Sequence, residues 1–155
     1  MTAEAARRAS RGVELSTAFN TNAVMRPGIV MRIARPTDNL EVLAQMYVQG
    51  LGFETLASFT NHDGFDGVIL GQSNAPYHLE FTSQRGHAAG RAPTRDHLLV
   101  FYVPERAEWE LDCERLSASG FREVRSVNPF WDCDGRTYED VDGYRVVLQN
   151  AWWDF

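Results

Sequence analysis

The sequence has little cysteine, and its two cysteines are not spaced as a pair. Cys113 and Cys133 could form at most one bridge, and neither belongs to a Cys-x-x-Cys motif. Small disulfide-held domains and zinc ribbons both need several cysteines at short, regular spacings. The sequence therefore argues against both classes.

Long apolar runs and long basic runs are also missing. No run approaches the roughly 20 residues that a membrane-spanning helix needs, and the N-terminus lacks the apolar core of a secretory signal. The 15 Lys and Arg residues are outnumbered by 21 Asp and Glu, which gives a net charge of -6. We therefore expect a cytoplasmic protein that binds neither a membrane nor nucleic acid.

The apolar content that is present suits one compact domain. Of the 155 residues, 44% are hydrophobic and 12% are aromatic, which is enough for one core but hardly for two. Residues 1–27 are rich in Ala, Arg, Ser, Thr and Asn and cannot form a core of their own. We expect them to be a flexible N-terminal extension, followed by a single domain at residues 28–155.

The first half of the domain shows the pattern of a strand, a helix and three further strands. Residues 29–34 are apolar or β-branched, and Asp38 can then cap a helix whose apolar residues recur at helical spacing. Strand-like runs separated by turn residues follow at residues 53–59, 67–70 and 77–82. This pattern predicts a β-α-β-β-β module at about residues 28–84.

The same order of elements returns after a polar linker at residues 83–95. An apolar strand at residues 97–103 precedes a helix opened by Pro104. The remaining strand-like segments are residues 122–127, 137–141 and 144–149. We interpret the chain as an internal duplication, with a second module at about residues 96–151. The alternative is two ferredoxin-like halves that are alike by chance.

Four segments resemble the vicinal-oxygen-chelate superfamily, which includes glyoxalases, bleomycin-resistance proteins and extradiol dioxygenases. They are residues 32–53, 77–82, 96–103 and 138–149. The resemblance implies an α+β fold in which two βαβββ modules form a cupped, eight-stranded mixed sheet around a small molecule. It does not select among the chemistries of the superfamily, which include isomerisation, lyase reactions and drug sequestration.

The resemblance also implies where a metal would be held. In metal-dependent members four strands each supply one ligand, and the matching positions here are Arg32, Glu80, His97 and Val147. Arg32 is a cation and Val147 has no donor atom, so only two ligands remain, fewer than catalytic zinc or non-haem iron sites use. We expect no metal cofactor; if a metal binds, Glu80 and His97 would be its ligands.

The same positions predict a catalytic group for metal-independent acid/base chemistry. Glu80 would be the base, His97 the acid, and Arg32 would hold a substrate anion or an enolate. The alternative is that Arg32 and Glu80 only form a buried ion pair.

The substrate-binding residues are predicted from strand alternation and from aromatic content. Alternation directs Phe101, Arg145 and Gln149 into the cup, and Trp131 and Tyr138 add aromatic surface around it. Trp131 lies in a loop that could form a rim or a lid.

Three functional classes are consistent with these residues. We expect an enzyme of the isomerase, lyase or cyclase type, acting as a homodimer on an oxygenated small molecule. The alternative is a non-catalytic, drug-sequestering protein of the bleomycin-resistance type, and the third class is a purely structural or protein-interaction domain.

Overall fold

The structure, a computed structural model, describes residues 27–154. All of the predicted N-terminal extension except Pro27 lies outside the described residues. The helices and strands, in chain order, are β1 (Met31–Pro36), α1 (Leu40–Leu51), β2 (Glu54–His62), β3 (Phe65–Gly71), β4 (Tyr77–Gln84), β5 (Leu98–Tyr102), α2 (Arg106–Ala118), β6 (Arg122–Val124), a 3-10 helix (Pro129–Asp132), β7 (Gly135–Glu139) and β8 (Arg145–Gln149).

The strands form two four-stranded mixed sheets, one in each half of the chain. The first sheet has the order β1-β4-β3-β2 and the second the order β5-β8-β7-β6. In each sheet the first strand pairs in parallel with the last, and the other pairs are antiparallel. The predicted α+β fold of two βαβββ modules is confirmed, with the eight strands divided between two sheets instead of joined in one.

The two helices lie together and cover one face of each sheet. Helix α1 contacts β3 and β4, helix α2 contacts β6 and β8, and the helices contact each other. The side chains buried between these elements form one continuous core that includes Leu43, Met46, Tyr47, Val68, Leu70, Leu79, Phe81, Trp109, Cys113, Leu116, Tyr138, Val146 and Leu148. Neither helix is long and apolar enough to span a bilayer, nor is any other helix within residues 27–154.

The contact between the two helices depends on Gly50. A Cβ atom at this position would lie 2.9 Å from the Leu116 side chain and 3.0 Å from the Phe121 ring. One turn earlier, the ring of Tyr47 meets Phe81 of the first module edge-on, with 4.9 Å between centroids, and Phe121 of the second at 5.3 Å. This part of α1 therefore belongs to the cores of both modules.

We predict that Gly50→Val destabilises the protein by about 1–3 kcal/mol more than Gln49→Val, because the new methyl groups overpack the contact between the helices. Gln49 is exposed on the same helix, so its variant is a matched control for the helix propensity of valine. Urea unfolding followed by circular dichroism measures both. Equal losses would contradict the close packing at Gly50.

A buried polar network joins the modules at the turn between β7 and β8. The Tyr47 hydroxyl donates to Oδ2 of Asp140 at 2.9 Å and accepts from Arg35 at 3.4 Å. The Asn39 amide donates to Oδ1 of Asp142 at 2.8 Å. Burial raises the pKa of Asp140, although hydrogen bonds from Tyr47 and from two backbone amides oppose the change. The Arg35 guanidinium also lies 4.3 Å from the centroid of the Tyr144 ring, so the turn is fixed to both β1 and α1.

Asp38 does not cap α1 as the sequence predicted. The N-cap residue is Asn39, without a side-chain capping bond, while the Asp38 carboxylate accepts hydrogen bonds from the backbone amides of Ala89 at 2.8 Å and Gly90 at 2.9 Å. Those two bonds lower the pKa of Asp38. The carboxylate is used by a linker 50 residues away, which local helix patterns cannot anticipate, and it holds that linker against the first module.

Because the folded state lowers the pKa of Asp38, its ionised form adds stability above the ordinary value of 3.8, and this contribution is lost as the pH falls through the lowered pKa. We predict that the stability advantage of wild type over Asp38→Asn is present at about pH 6 and shrinks below about pH 3.8. Urea midpoints over this range test the prediction. The matched control is Asp134→Asn, which removes an exposed carboxylate whose side chain makes no hydrogen bond or ion pair with other residues in the range 27–154, so it should not show this pattern.

Candidate functional site

Each sheet has a second face that is directed away from the helices, and we call these the first and second outer faces. Along β4, Leu79 and Phe81 enter the core, so alternation sends His78 and Glu80 to the first outer face. Along β8, Val146 and Leu148 enter the core in the same way. The second outer face therefore carries the residues between and beside them: Thr137, Glu139, Arg145, Val147 and Gln149.

Arg32 is held between two side chains on the first outer face. Its Nε donates to Nε2 of His78 at 2.8 Å, and its Nη1 donates to Oε2 of Glu80 at 3.1 Å. Since Nε2 of His78 accepts this bond, the ring proton of the neutral imidazole lies on Nδ1. We call Arg32, His78 and Glu80 the polar triad.

The polar triad is open to solvent. The Arg32 side chain is 44% exposed and that of Glu80 is 17% exposed. The alternative prediction of an ion pair between these residues is therefore correct in its partners, but the pair is not buried. A ligand that approaches the first outer face can reach the guanidinium directly.

The structure adds His78 to the predicted group and does not bring His97 to it. His97 lies one residue before β5 and is exposed, and its side chain makes no hydrogen bond or ion pair with other residues in the range 27–154. The sequence contained the signal for His78, which we did not use. It lies two residues before Glu80 in the same predicted strand, so alternation places both on one face.

Arg145 and Gln149 lie on the second outer face, on the other sheet from the polar triad. Arg145 donates through Nε and Nη2 to Oε2 of Glu139, both at 3.2 Å, and both side chains are buried. Gln149 is also buried, and its Oε1 has no hydrogen-bond partner within the described chain. Val147, at the fourth predicted ligand position, is completely buried between them and offers no donor atom.

The segment before β7 covers the second outer face. Nη1 of Arg145 donates to the carbonyl of Arg125 at 3.2 Å, the hydroxyls of Ser126 and Thr137 are hydrogen-bonded, and the 3-10 helix contacts β7. Trp131, predicted to form a rim or a lid, lies on this helix with its ring edge-on to Phe130 at 5.0 Å. Where the first outer face is open, the second is enclosed.

Phe101 and Tyr138 lie on the helix-covered side of the second sheet, not on its outer face. Phe101 is paired with Leu148, and its ring lies 6.1 Å from that of Phe53. Tyr138 is completely buried in the core. The prediction assumed that His97 faces the cup and counted alternate residues from it along β5, which placed Phe101 in the cup. The burial of large apolar rings decides instead which face of the sheet they take. Phe101 does line a cavity of about 170 Å³ between the modules.

The residues at the implied metal position do not fit a metal site. Of the four positions, Arg32 brings a positive charge against Glu80, and Val147 lies on a different sheet without a donor atom. No group of three or more His, Cys, Asp or Glu side chains within residues 27–154 could hold a metal ion.

Solved structures of low sequence identity share this fold. Glyoxalase I of Leishmania major matches with a TM-score of 0.61 at 16% identity, over 83% of this chain and 88% of its own. The antibiotic-binding protein TnmS3 of Streptomyces sp. CB03234 matches with a TM-score of 0.53 at 20% identity, over 82% and 96% of the two chains. These matches show that the chain shares the fold of these proteins, which is the fold that the sequence predicted.

The chain belongs to the YycE-like family. Models of the YycE-like N-terminal and C-terminal domains match residues 31–82 and 96–150. The chain is 43% identical over 121 residues to YycE of Bacillus subtilis (strain 168), a match of 78% of this chain and 87% of that protein. The crystal structure of YycE, a protein of unknown function provisionally described as a glyoxalase or fosfomycin-resistance protein, matches with a TM-score of 0.76 at 41% identity over 81% and 92% of the chains.

The two Arg–Glu pairs allow one chemical change to be compared in two environments. We predict that Glu139→Gln lowers stability by about 3–5 kcal/mol, because it leaves Arg145 buried without its counter-charge. Glu80→Gln should cost about 0–1 kcal/mol, because Arg32 remains in contact with water. Chemical denaturation of both variants is the measurement, and losses of equal size would contradict the difference in burial.

Proposed function

We propose that this protein binds an oxygenated small molecule on the first outer face and acts on it by acid/base chemistry without a metal. The observation that carries the proposal is the contact of Arg32 with both His78 and Glu80. The triad combines a carboxylate, an imidazole and a guanidinium within hydrogen-bond distance on a face that ligands can reach. These are the side chains that proton transfer and anion stabilisation require.

The roles follow from the geometry of the triad. Nη2 of Arg32 has no partner among residues 27–154, so its two N–H groups are available to a carbonyl, carboxylate or enolate oxygen. Glu80 is beside that position and can remove a proton from the adjacent carbon and, as the carboxylic acid so formed, return it to the product, while His78 holds the Arg32 guanidinium in place. This reaction class, proton transfer at a carbon next to a carbonyl, covers isomerases, lyases and cyclases. The participation of His97 stays a prediction.

A second candidate is a non-catalytic binding protein. Exposed aromatic side chains favour it: Phe130 is 49% exposed and Trp152 is 69% exposed. Such rings contribute stacking surface to a flat ligand. TnmS3, which shares the fold, is an antibiotic-binding protein, and a sequestering protein needs no titrating pair.

We infer that the working form is a homodimer. All but one of the nine residues of β2 are exposed, and Leu56 and Phe65 are large apolar side chains in contact with water. One chain therefore leaves the first outer face without the enclosure that small-molecule sites usually have. A second copy would supply it. Light scattering after size exclusion tests this inference, and a monomer at all concentrations would oppose it.

We predict that the protein catalyses exchange of carbon-bound protons with deuterium in small hydroxy ketones or keto acids, which proton NMR in D₂O measures directly. Glu80→Gln should slow the exchange about a hundredfold, the usual scale of an acid/base contribution. Gln84→Ala, an exposed change at the end of the same strand, should exchange at the wild-type rate.

The outcomes separate the two candidates. Exchange that is lost in Glu80→Gln supports the enzyme. Saturable binding of the same compounds, with no exchange in either wild type or Glu80→Gln, contradicts the enzyme and favours the binding protein.

A further inference from the structure

Three arginines meet at one buried glutamate on the second outer face. Arg145 donates twice to Oε2 of Glu139, Arg122 donates to Oε1 at 2.7 Å, and Nη2 of Arg91 lies 3.6 Å from the same Oε1. Each of the other arginine–carboxylate ion pairs within residues 27–154 joins one arginine to one carboxylate. This cluster therefore contains three positive charges and one negative charge.

The excess positive charge lies on the two exposed arginines of the cluster, Arg91 and Arg122. Arg145 and Glu139 are only 5% and 8% exposed, and a buried guanidinium requires a counter-charge. Burial alone would raise the pKa of Glu139, but the hydrogen bonds from Arg122 and Arg145 lower it below its ordinary value, so the carboxylate is ionised at neutral pH. It balances Arg145. Arg91 and Arg122, which are 68% and 72% exposed, are not balanced.

Both outer arginines are held in place by the fold. Arg122 in β6 is the direct cross-strand neighbour of Glu139 in β7. Arg91 donates to the carbonyl of Val141 at 3.2 Å, and its guanidinium lies against Gly143, where a Cβ atom would be 2.9 Å from Nη2. A side chain at position 143 would displace it.

The backbone beside Arg91 is fixed as well, and the nearby carboxylates of Asp140 and Asp142 form no ion pair with Arg91 or Arg122, whose ion pairs within residues 27–154 are with Glu139. The amide of Ala92 donates to the carbonyl of Asp142 at 2.9 Å. The side chains of Asp140 and Asp142 accept hydrogen bonds from Tyr47 and Asn39 at the module contact. Two guanidiniums from different segments are thus ordered next to each other and face solvent.

We propose that Arg91 and Arg122 form a binding site for a doubly charged oxyanion, such as the phosphate group of a small molecule. Two negative charges match the unbalanced charge of the cluster, and the oxygens of one phosphate can accept hydrogen bonds from both guanidiniums. Because the donors are already positioned, binding loses little side-chain entropy. The site uses none of the residues of the polar triad, so it stands independently of the proposed function.

The test is calorimetric titration of the full-length protein with methyl phosphate at constant ionic strength set by sodium chloride. Wild type should bind saturably. Arg91→Gln and Arg122→Gln should each weaken binding at least about tenfold, the effect of losing one charge-assisted contact. The matched control is Arg106→Gln, which removes the same charge from an exposed arginine paired with Glu110 on α2 and should bind like wild type.

Two further measurements make the result decisive. Affinity in wild type should rise between about pH 5 and pH 7, as the second proton leaves the phosphate. Thermal unfolding without ligand should change little in the arginine variants, because Arg145 still neutralises the Glu139 carboxylate when either exposed arginine is removed; if one variant unfolds, the other and Arg122→Lys carry the test. Absence of saturable binding, or equal weakening in Arg106→Gln, would overturn the proposal.

Discussion

The contact of α1 with α2 is the constraint on which the rest of the structure depends. Gly50 allows Leu116 and Phe121 to approach the backbone of α1. The ring of Tyr47 packs edge-on against aromatic rings of both modules. Because the helices cover one face of each sheet, the polar residues on the other side of each strand must lie on the outer faces. The positions of Arg32 and of Arg145 are consequences of this packing.

The sequence could predict the elements and the repeat, because alternation and helical spacing are local properties. It placed Arg32 and Glu80 together correctly, since they lie on parallel neighbours β1 and β4. It misplaced Phe101, whose face is set by burial against Phe53 in the other module. It also missed Glu139, because the importance of that residue depends on the register of β6 and on a linker arginine, and neither is visible in local patterns.

The two outer faces differ although the two modules have the same strand order. Both carry an Arg–Glu pair, but water screens the one on the first sheet, and the segment before β7 covers the other. An exposed pair contributes little stability and can change partners when a ligand arrives. A buried pair must stay intact. The same two residue types therefore form a pair that a ligand can reach in one half and a buried pair that must stay intact in the other.

The shared core has a consequence for any attempt to separate the two modules. A module released from its twin would expose the rings of Tyr47 and Phe81, or of Phe121, and would leave the Asp140 carboxylate without the hydroxyl that it binds. Each half therefore depends on the other for part of its core. Recombination that exchanges one module for that of a distant relative would have to change the contacting residues of both modules at the same time.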